Sequence, residues 1–278
     1  MDKIRILLDK VEVLPLSPSL LPKLLPALSD VDTNFDEVVR VISMDQSLTA
    51  KLLQICNSAF FGQTEPVATV SEAVSRVGYQ SVYLLVATIN GSNCFPCPSP
   101  KGIDTGKLWR HSITTAFNAK FVAESAGLDG NLLFTAGLLH DIGKMVLAQA
   151  QAPLPAIGNA FYQPTTVATT EREVMLFGFT HADVGAALLE RWKLPAQLAL
   201  SVRHHHDPLS GQGFAPIAAA VNLGNMVTHS ELHPKLMDSP EFKASLDVLR
   251  LDGSDVKRWQ EKFRDSRELI ESMSKLPL

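Results

Sequence analysis

One histidine of this 278-residue chain is followed directly by an aspartate, within Gly137-Leu-Leu-His-Asp-Ile-Gly-Lys144. Imidazole is the commonest metal ligand among side chains, and a carboxylate oxygen beside it suits Zn, Fe or Mn. The residues before His140 and Asp141 are mostly apolar, so a helix that buries this pair leaves two polar groups that a divalent ion would satisfy. A histidine at a helix end beside a capping aspartate explains the same local pattern equally well.

Other histidines occur where helices are predicted to begin or end, or beside an apolar stripe. His111 lies near the stripe of its helix, His181 opens a helix, and His205 and His206 follow another in Arg203-His-His-His-Asp. Each alone is more simply a core or surface residue, but together they are candidate ligands. Lys144 lies one turn beyond the His-Asp pair, where its ammonium can meet a phosphate.

Composition and charge exclude several classes of protein. The chain is 46% hydrophobic and 19% charged, which is typical of a globular protein, and its net charge of −4 argues against binding nucleic acid. Three cysteines are too few for a disulfide framework, so a reducing cytoplasm is expected. The apolar run 84–89 is far too short to span a membrane, and the charged first residues do not resemble a secretory signal.

Apolar residues recur at helical spacing and strand signals are scarce, so the fold is predicted to be nearly all helix. Thr69, Thr105 and Asn131 are predicted to cap helices, and Pro195 suits a first helical position. From Asp255 onward the pattern predicts an amphipathic helix docked on the body. The predicted helices cover 36–43, 46–59, 69–77, 81–89, 105–126, 132–149, 169–177, 181–192 and 195–204.

A proline-rich stretch within 91–102 predicts a linker between two lobes. We assign 1–95 to an N-terminal helical lobe, 96–104 to the linker, 105–235 to a second helical lobe and 236–278 to a charged helical extension. Cys94-Phe-Pro-Cys97 lies at this linker and has the spacing of a redox pair or half a zinc site. No second cysteine pair completes such a site, so no function is expected of it.

The order His111, His140-Asp141, His181, His205-His206 resembles the HD superfamily of metal-dependent phosphohydrolases, and most closely its HDOD (HD-related output domain) family. The resemblance covers roughly 11–229. In the N-terminal half it rests on Leu14-Pro-Leu-Ser-Pro-Ser-Leu, Ile42-Ser-Met-Asp-Gln-Ser-Leu and Cys56-Asn-Ser-Ala-Phe-Phe-Gly62. In the second half it rests on His181-Ala-Asp-Val-Gly and Arg203-His-His-His-Asp-Pro208.

The resemblance implies an all-α fold of two packed helical lobes, the C-terminal one an HD-domain-like bundle. It also implies one or two divalent ions (Fe, Mn, Zn or Mg) that activate a water molecule and clamp phosphate oxygens. Asp141 and Lys144 match the positions that serve catalysis, Lys144 as the lysine that faces the phosphate. The positions that match metal ligands are His111, His140, Asp141, His181, His205 and His206.

One position departs from the family pattern. The closing aspartate of the family falls in Ala220-Val-Asn-Leu-Gly-Asn-Met226, where Asn225 stands in its place. An amide oxygen is a weaker and neutral ligand, so this change puts catalysis in doubt more than the fold. The expectation is therefore a cytoplasmic signalling or regulatory protein with a metal-binding, weakly active or inactive site.

The alternative is an active phosphohydrolase that acts on a nucleotide or cyclic dinucleotide, and a third reading is an adaptor without metal. The expected partners are a protein or nucleotide signal and a phosphate-containing ligand, with no nucleic acid and no membrane. The sequence leaves the oligomeric state open.

Overall fold

The computed structural model describes residues 2–10, 38–39, 42–43, 46–57, 67–92, 104–149, 167–192, 194–230 and 233–274. Within these ranges all regular structure is helical, which confirms the predicted all-α class. The α-helices are α1 (Asp2–Lys10), α2 (Gln46–Cys56), α3 (Val70–Val77), α4 (Tyr79–Ser92), α5 (Thr105–Ser125), α6 (Gly130–Leu139), α7 (Ile142–Gln149), α8 (Val167–Phe177), α9 (His181–Arg191), α10 (Ala196–Arg203), α11 (Ala215–Ser230), α12 (Pro240–Leu249), α13 (Gly253–Asp265) and α14 (Arg267–Ser274). Short 3-10 helices cover Pro208–Phe214 and Pro234–Asp238.

The N-terminal lobe consists of α2, α3 and α4, with helical residues also at 38–39 and 42–43. Thr69 caps α3 as predicted, since its hydroxyl accepts a hydrogen bond from Glu72 N at 3.1 Å. Glu72 in turn accepts from Ala68 N, one residue before the position that a capping box uses. The lobe packs α4 against both α2 and α3 around apolar side chains such as Leu52 and Leu85.

The second lobe is organised around α5, which packs against both α6 and α11. A glycine allows the helix backbones to come close together where α5 crosses α6 and where it crosses α11. A Cβ at Gly137 would lie 2.8 Å from Ala116 Cα, and one at Gly224 would lie 2.7 Å from Ala119 N. Because neither glycine carries a side chain, the helix backbones approach closely enough to bring their residues into one cavity.

The two lobes share one apolar core, since α4 of the first contacts α6 of the second. Almost all of the predicted linker, Cys94 and Cys97 included, lies outside the described residues. Its last residue, Asp104, caps α5 by accepting a hydrogen bond from Lys107 N, so the prediction that Thr105 is the cap was off by one residue.

The predicted helix over 132–149 is wrong in one important respect, because the structure divides it into α6 and α7 at His140 and Asp141. The cap of α6 is Asp129 rather than Asn131. The break lets the His-Asp pair leave the α6 axis while remaining buried, which an uninterrupted helix would prevent.

Two other helix boundaries also differ from prediction. Pro195 is the residue before α10 rather than its first residue. The C-terminal amphipathic segment forms two helices, α13 and α14, that pack on α5 and bury Trp259 and Ile270. In the part of the chain that the structure describes, none of the helices has the length and apolar character that crossing a membrane requires.

Candidate metal centre

The His-Asp pair lies at the centre of the second lobe, in the turn between α6 and α7. His140 and Asp141 are fully buried, with 0% and 1% of their surface exposed. The turn is preceded by the apolar end of α6 and followed by Ile142, also buried, so the local sequence carries the pair into the core. Imidazoles from three other parts of the second lobe converge on Asp141.

The Oδ1 atom of Asp141 faces three histidines from α9 and the end of α10. His181 Nε2 lies 3.2 Å from Oδ1, and His205 Nε2 lies 4.0 Å from it. His206 Nε2 lies 3.1 Å from His181 Nε2. Their four ligand atoms all lie within 4.8 Å of one another. We call Asp141, His181, His205 and His206 the Oδ1 group.

The Oδ2 atom of Asp141 faces a second set of side chains. His140 Nε2 lies 3.3 Å from Oδ2, His111 Nε2 lies 3.6 Å from it, and the two nitrogens are 3.2 Å apart. Lys144 Nζ donates a hydrogen bond to the same oxygen at 2.7 Å. We call Asp141, His140, His111 and Lys144 the Oδ2 group. The structure thus brings together six of the seven predicted metal ligands and the predicted catalytic lysine.

The ring orientation of two ligand candidates is set by backbone carbonyls. His140 Nδ1 lies 2.7 Å from Gly137 O, and His205 Nδ1 lies 2.6 Å from Val202 O. A carbonyl oxygen only accepts hydrogen bonds, so Nδ1 of each ring carries the proton and Nε2 presents its lone pair toward Asp141. Both rings are therefore in the tautomer that an ion at Asp141 requires.

His181 is oriented by a carboxylate that the sequence interpretation missed. Glu173 on α8 is buried, and its two oxygens lie 2.9 and 2.8 Å from His181 Nδ1. One of them also accepts the His181 backbone N–H at 2.9 Å. The sequence places Glu171 and Glu173 in the same helix, and only the tertiary structure shows that Glu173 is buried while Glu171 is exposed.

Gly143 determines how α9 approaches the centre. A Cβ at Gly143 would lie 1.9 Å from His181 O and 2.8 Å from Gly185 N, so the backbones of α7 and α9 are in direct contact there. The sequence interpretation gave Gly143 the role of allowing a bend, whereas it lies inside α7 and allows this close approach. That contact keeps His181 within reach of Asp141.

Helix α11 closes the cavity with three polar side chains at helical spacing. Asn222 Nδ2 donates to His205 O at 2.6 Å, and the ring of His229 stacks on His111 with centroids 4.5 Å apart. Asn225 lies between them on the same face of the helix, buried, and its Oδ1 has no hydrogen-bond partner among the described residues. Asn225 therefore lies on the face toward the centre, and His229 is a neighbour of the centre that sequence reasoning did not select.

Burial and mutual proximity shift the pKa values of these groups in different directions. Burial lowers the pKa of His205 and His206 well below that of free histidine, and neighbouring imidazoles lower it further. Burial opposes ionisation of Asp141, but His140 and Lys144 hold the pKa of its carboxyl well below the usual range. Burial also disfavours charge on His181, yet Glu173 and Asp141 raise its pKa. The ionised Asp141 carboxylate therefore lies beside two neutral imidazoles, His205 and His206, and beside His181, whose pKa is raised.

The donor set of the Oδ1 group fits a divalent ion. Asp141 Oδ1 and His205 Nε2 are buried and have no hydrogen-bond partner among the described residues. Buried polar atoms of native proteins are nearly always satisfied, so these two require a ligand. A tetrahedral ion with bonds of about 2.1 Å holds its ligands roughly 3.4 Å apart, and three pairs of ligand atoms in this group are separated by 3.1, 3.2 and 4.0 Å.

Comparison with protein-family models gives a match to the HDOD domain over residues 14–208. The chain belongs to the HDOD family. The match includes every member of the Oδ1 and Oδ2 groups, and it ends before α11, which carries Asn225 and His229.

Two relatives and two solved structures illustrate this membership. An uncharacterized protein of Treponema pallidum (strain Nichols) is 27% identical over 222 residues, which is 78% of this chain and 42% of that protein. Ribonuclease Y of Thermus thermophilus is 32% identical over 114 residues, 41% of this chain and 15% of the enzyme. The chain thus spans less than half the length of these curated relatives.

The structures are similar over nearly their whole length. An HDOD domain protein of unknown function from Geobacter sulfurreducens has a TM-score of 0.74 and 23% identity, with coverage of 100% of this chain and 98% of that one. A candidate phosphohydrolase from Shewanella amazonensis SB2B has a TM-score of 0.73 and 23% identity, with 97% of each chain covered. At this identity the likeness establishes the shared fold.

Proposed function

We propose that this protein is a regulatory HDOD protein that binds a divalent metal ion at Asp141 and has little or no phosphohydrolase activity. The observation that carries the proposal is the Oδ1 group, in which a buried carboxylate oxygen and the Nε2 atom of His205 have no hydrogen-bond partner among the described residues. Without a bound cation these two buried atoms would have no hydrogen-bond partner in this part of the chain, and a dication satisfies both.

The chain's own residues suit the binding of an anionic ligand beside the ion. Fe, Mn, Zn or Mg bound here would supply Lewis-acid activation of a phosphate group. Lys144 adds a buried positive charge at Asp141, which favours a ligand that carries phosphate. His111 and His206 are half-buried, so they lie at the side of the centre that such a ligand would reach.

Weak or absent turnover is supported by the chemistry of α11. Asn225 stands where the resemblance predicts a closing aspartate, so the centre has one carboxylate where an active member would have two. A second anionic ligand would offset the charge of the ion and hold it more tightly. Its replacement by an amide favours binding and sensing of a ligand over repeated hydrolysis.

An active metal-dependent phosphohydrolase that acts on a nucleotide or cyclic dinucleotide is the alternative. In its favour, the Oδ1 and Oδ2 groups retain every other predicted ligand together with Lys144. The ribonuclease Y relatives and the Shewanella structure carry names of phosphodiester or phosphate chemistry.

The signal that this regulatory protein would recognise is then a protein or a nucleotide. We place the protein in the cytoplasm, with no nucleic-acid or membrane partner. The net charge of −4 and the free Cys56 are consistent with this assignment. Burial raises the pKa of the Cys56 thiol to about 11, so this cysteine is inert rather than a redox group.

Metal analysis of paired histidine variants tests the proposal. His205→Ala removes a member of the Oδ1 group, whereas His204→Ala removes the neighbouring histidine, which belongs to neither group of candidate ligands. We expect bound metal, measured by mass spectrometry after dialysis, to fall at least tenfold in His205→Ala and to stay at the wild-type level in His204→Ala. Equal metal content in all three proteins contradicts the site.

Turnover distinguishes the proposed function from its alternative. The metal-loaded protein is expected to hydrolyse bis-p-nitrophenyl phosphate and cyclic di-GMP no faster than Asp141→Asn. An Asn225→Asp variant is expected to bind metal more tightly, because it restores an anionic ligand. Wild-type hydrolysis that Asp141→Asn abolishes would establish the alternative.

A further inference from the structure

The two sides of Asp141 are not equivalent. On the Oδ1 side, the carboxylate oxygen and His205 Nε2 are buried with no hydrogen-bond partner among the described residues, and His181 Nε2 lies 3.2 Å from the oxygen. On the Oδ2 side, the oxygen already accepts a hydrogen bond from the Lys144 ammonium at 2.7 Å. One side of the carboxylate therefore faces imidazoles, and the other already faces an ammonium.

Lys144 is held in this position by the fold. It follows Asp141 by three residues, and its backbone N–H donates to Asp141 O at 2.9 Å. Its side chain is 2% exposed, which is rare for lysine and requires a paired anion. The ammonium is thus a fixed part of the centre rather than a surface group that reaches in.

The Oδ2 group offers little negative charge for a second ion. In both ligand groupings found among the described residues, Asp141 is the only carboxylate. Glu173 directs both oxygens at His181, on the other side. A dication between His111, His140 and Oδ2 would lie beside an ammonium and share one carboxylate with the first ion, and like charges repel strongly in a buried site.

We propose that the centre binds a single ion, in the Oδ1 group, and that Lys144 takes the place of a second ion at the Oδ2 group. This inference rests on the proposed function and deepens it, because it assigns the stoichiometry and a role to Lys144. His111 and His140 then surround the Lys144–Asp141 pair instead of coordinating metal. The change of the closing residue to Asn225 agrees with this, since a centre with one ion needs fewer carboxylates.

Titration with Co²⁺ tests the inference, with bound metal counted by mass spectrometry and coordination followed by the visible spectrum of the ion. We expect one Co²⁺ per wild-type chain. His206→Ala is expected to weaken this binding at least tenfold, whereas His111→Ala is expected to change it less than threefold. Two ions per wild-type chain, or loss of the ion in His111→Ala with retention in His206→Ala, would overturn the proposal.

Lys144→Met supplies the second arm, because methionine keeps much of the length of the side chain without its charge. This variant is expected to bind two Co²⁺ ions, and Lys120→Met, which alters a lysine paired with Glu124 far along α5, is expected to bind one. Lys144→Gln serves as a second uncharged variant if circular dichroism shows that Lys144→Met is unfolded. A single ion in folded Lys144 variants contradicts the role of Lys144. Absence of any ion from the wild type contradicts the proposed function itself.

Discussion

The N-terminal lobe and the second lobe contribute to one core with different kinds of side chain. Among the described residues of α2 to α4, Thr88 is the single buried polar residue, and the other buried side chains are aliphatic apart from Cys56. The second lobe buries the carboxylates and ammonium of Asp141, Glu173 and Lys144 together with several histidines. Apolar packing tolerates substitutions of similar volume, whereas a buried polar network depends on every member. The first lobe thus supports the fold, and the second contains the candidate metal centre.

Gly143→Ala should have the largest effect, because it acts on packing and on the centre together. The new Cβ would lie 1.9 Å from His181 O, so α7 and α9 must separate. We expect a loss of stability at or above the upper end of roughly 1–3 kcal/mol, measured by urea denaturation, and loss of bound metal. Gly253→Ala is the control, since a Cβ there meets nothing within 4 Å. Wild-type metal content in folded Gly143→Ala would refute the close-contact argument.

Leu52→Ala tests the role of the N-terminal lobe. Leu52 is fully buried in the N-terminal lobe, so its truncation should lower the free energy of unfolding by roughly 2–5 kcal/mol. Metal affinity, measured by calorimetric titration of the folded variant, should remain that of the wild type. A weakened affinity would mean that the first lobe also shapes the centre.

Glu173→Gln should weaken metal binding by about 10- to 100-fold, because the neutral amide orients His181 less firmly and lowers the basicity of its ring. The matched control is Glu171→Gln, which alters an exposed residue two positions earlier in the same helix. Competition with a chelator gives both affinities. Similar affinities for the two variants would show that Glu173 only supports the fold.

The smallest effect is expected where the C-terminal helices attach to α5. Lys120 and Lys262 each pair with Glu124, at 2.7 and 2.8 Å. Burial would raise the pKa of this carboxyl, but the two lysines lower it below 4.5.

A lowered pKa in the folded state stabilises the protein above pH 4.5, and the contribution is lost as the pH falls through the folded value. Glu124→Gln should therefore cost up to about 1 kcal/mol at pH 7. Urea denaturation should show a smaller difference between the two proteins at pH 3 than at pH 7. The exposed Glu261→Gln is the control, and an equal loss at both pH values would exclude the ion-pair explanation.

Local sequence was sufficient to predict the helical class and most helix positions, whereas the resemblance to the HD superfamily supplied the set of histidines expected to meet. Helical periodicity and capping depend on residues within a few positions, so they can be read along the chain. The prediction of one helix over 132–149 was wrong because His140 and Asp141 turn inward toward distant residues such as His181 and His205. Local apolar content alone continues the helix through that point.

The sequence by itself predicted that the chain is helical and that its imidazoles and one carboxylate resemble the pattern of the HDOD family, with Asn225 where that resemblance implies an aspartate. The tertiary structure decided which oxygen of Asp141 faces which histidine, that Glu173 orients His181, and that Lys144 pairs with Oδ2. The first two features join residues on different helices, and the close approach at Gly143 that aligns them is a property of two backbones in contact. Spacing along one chain does not encode that contact.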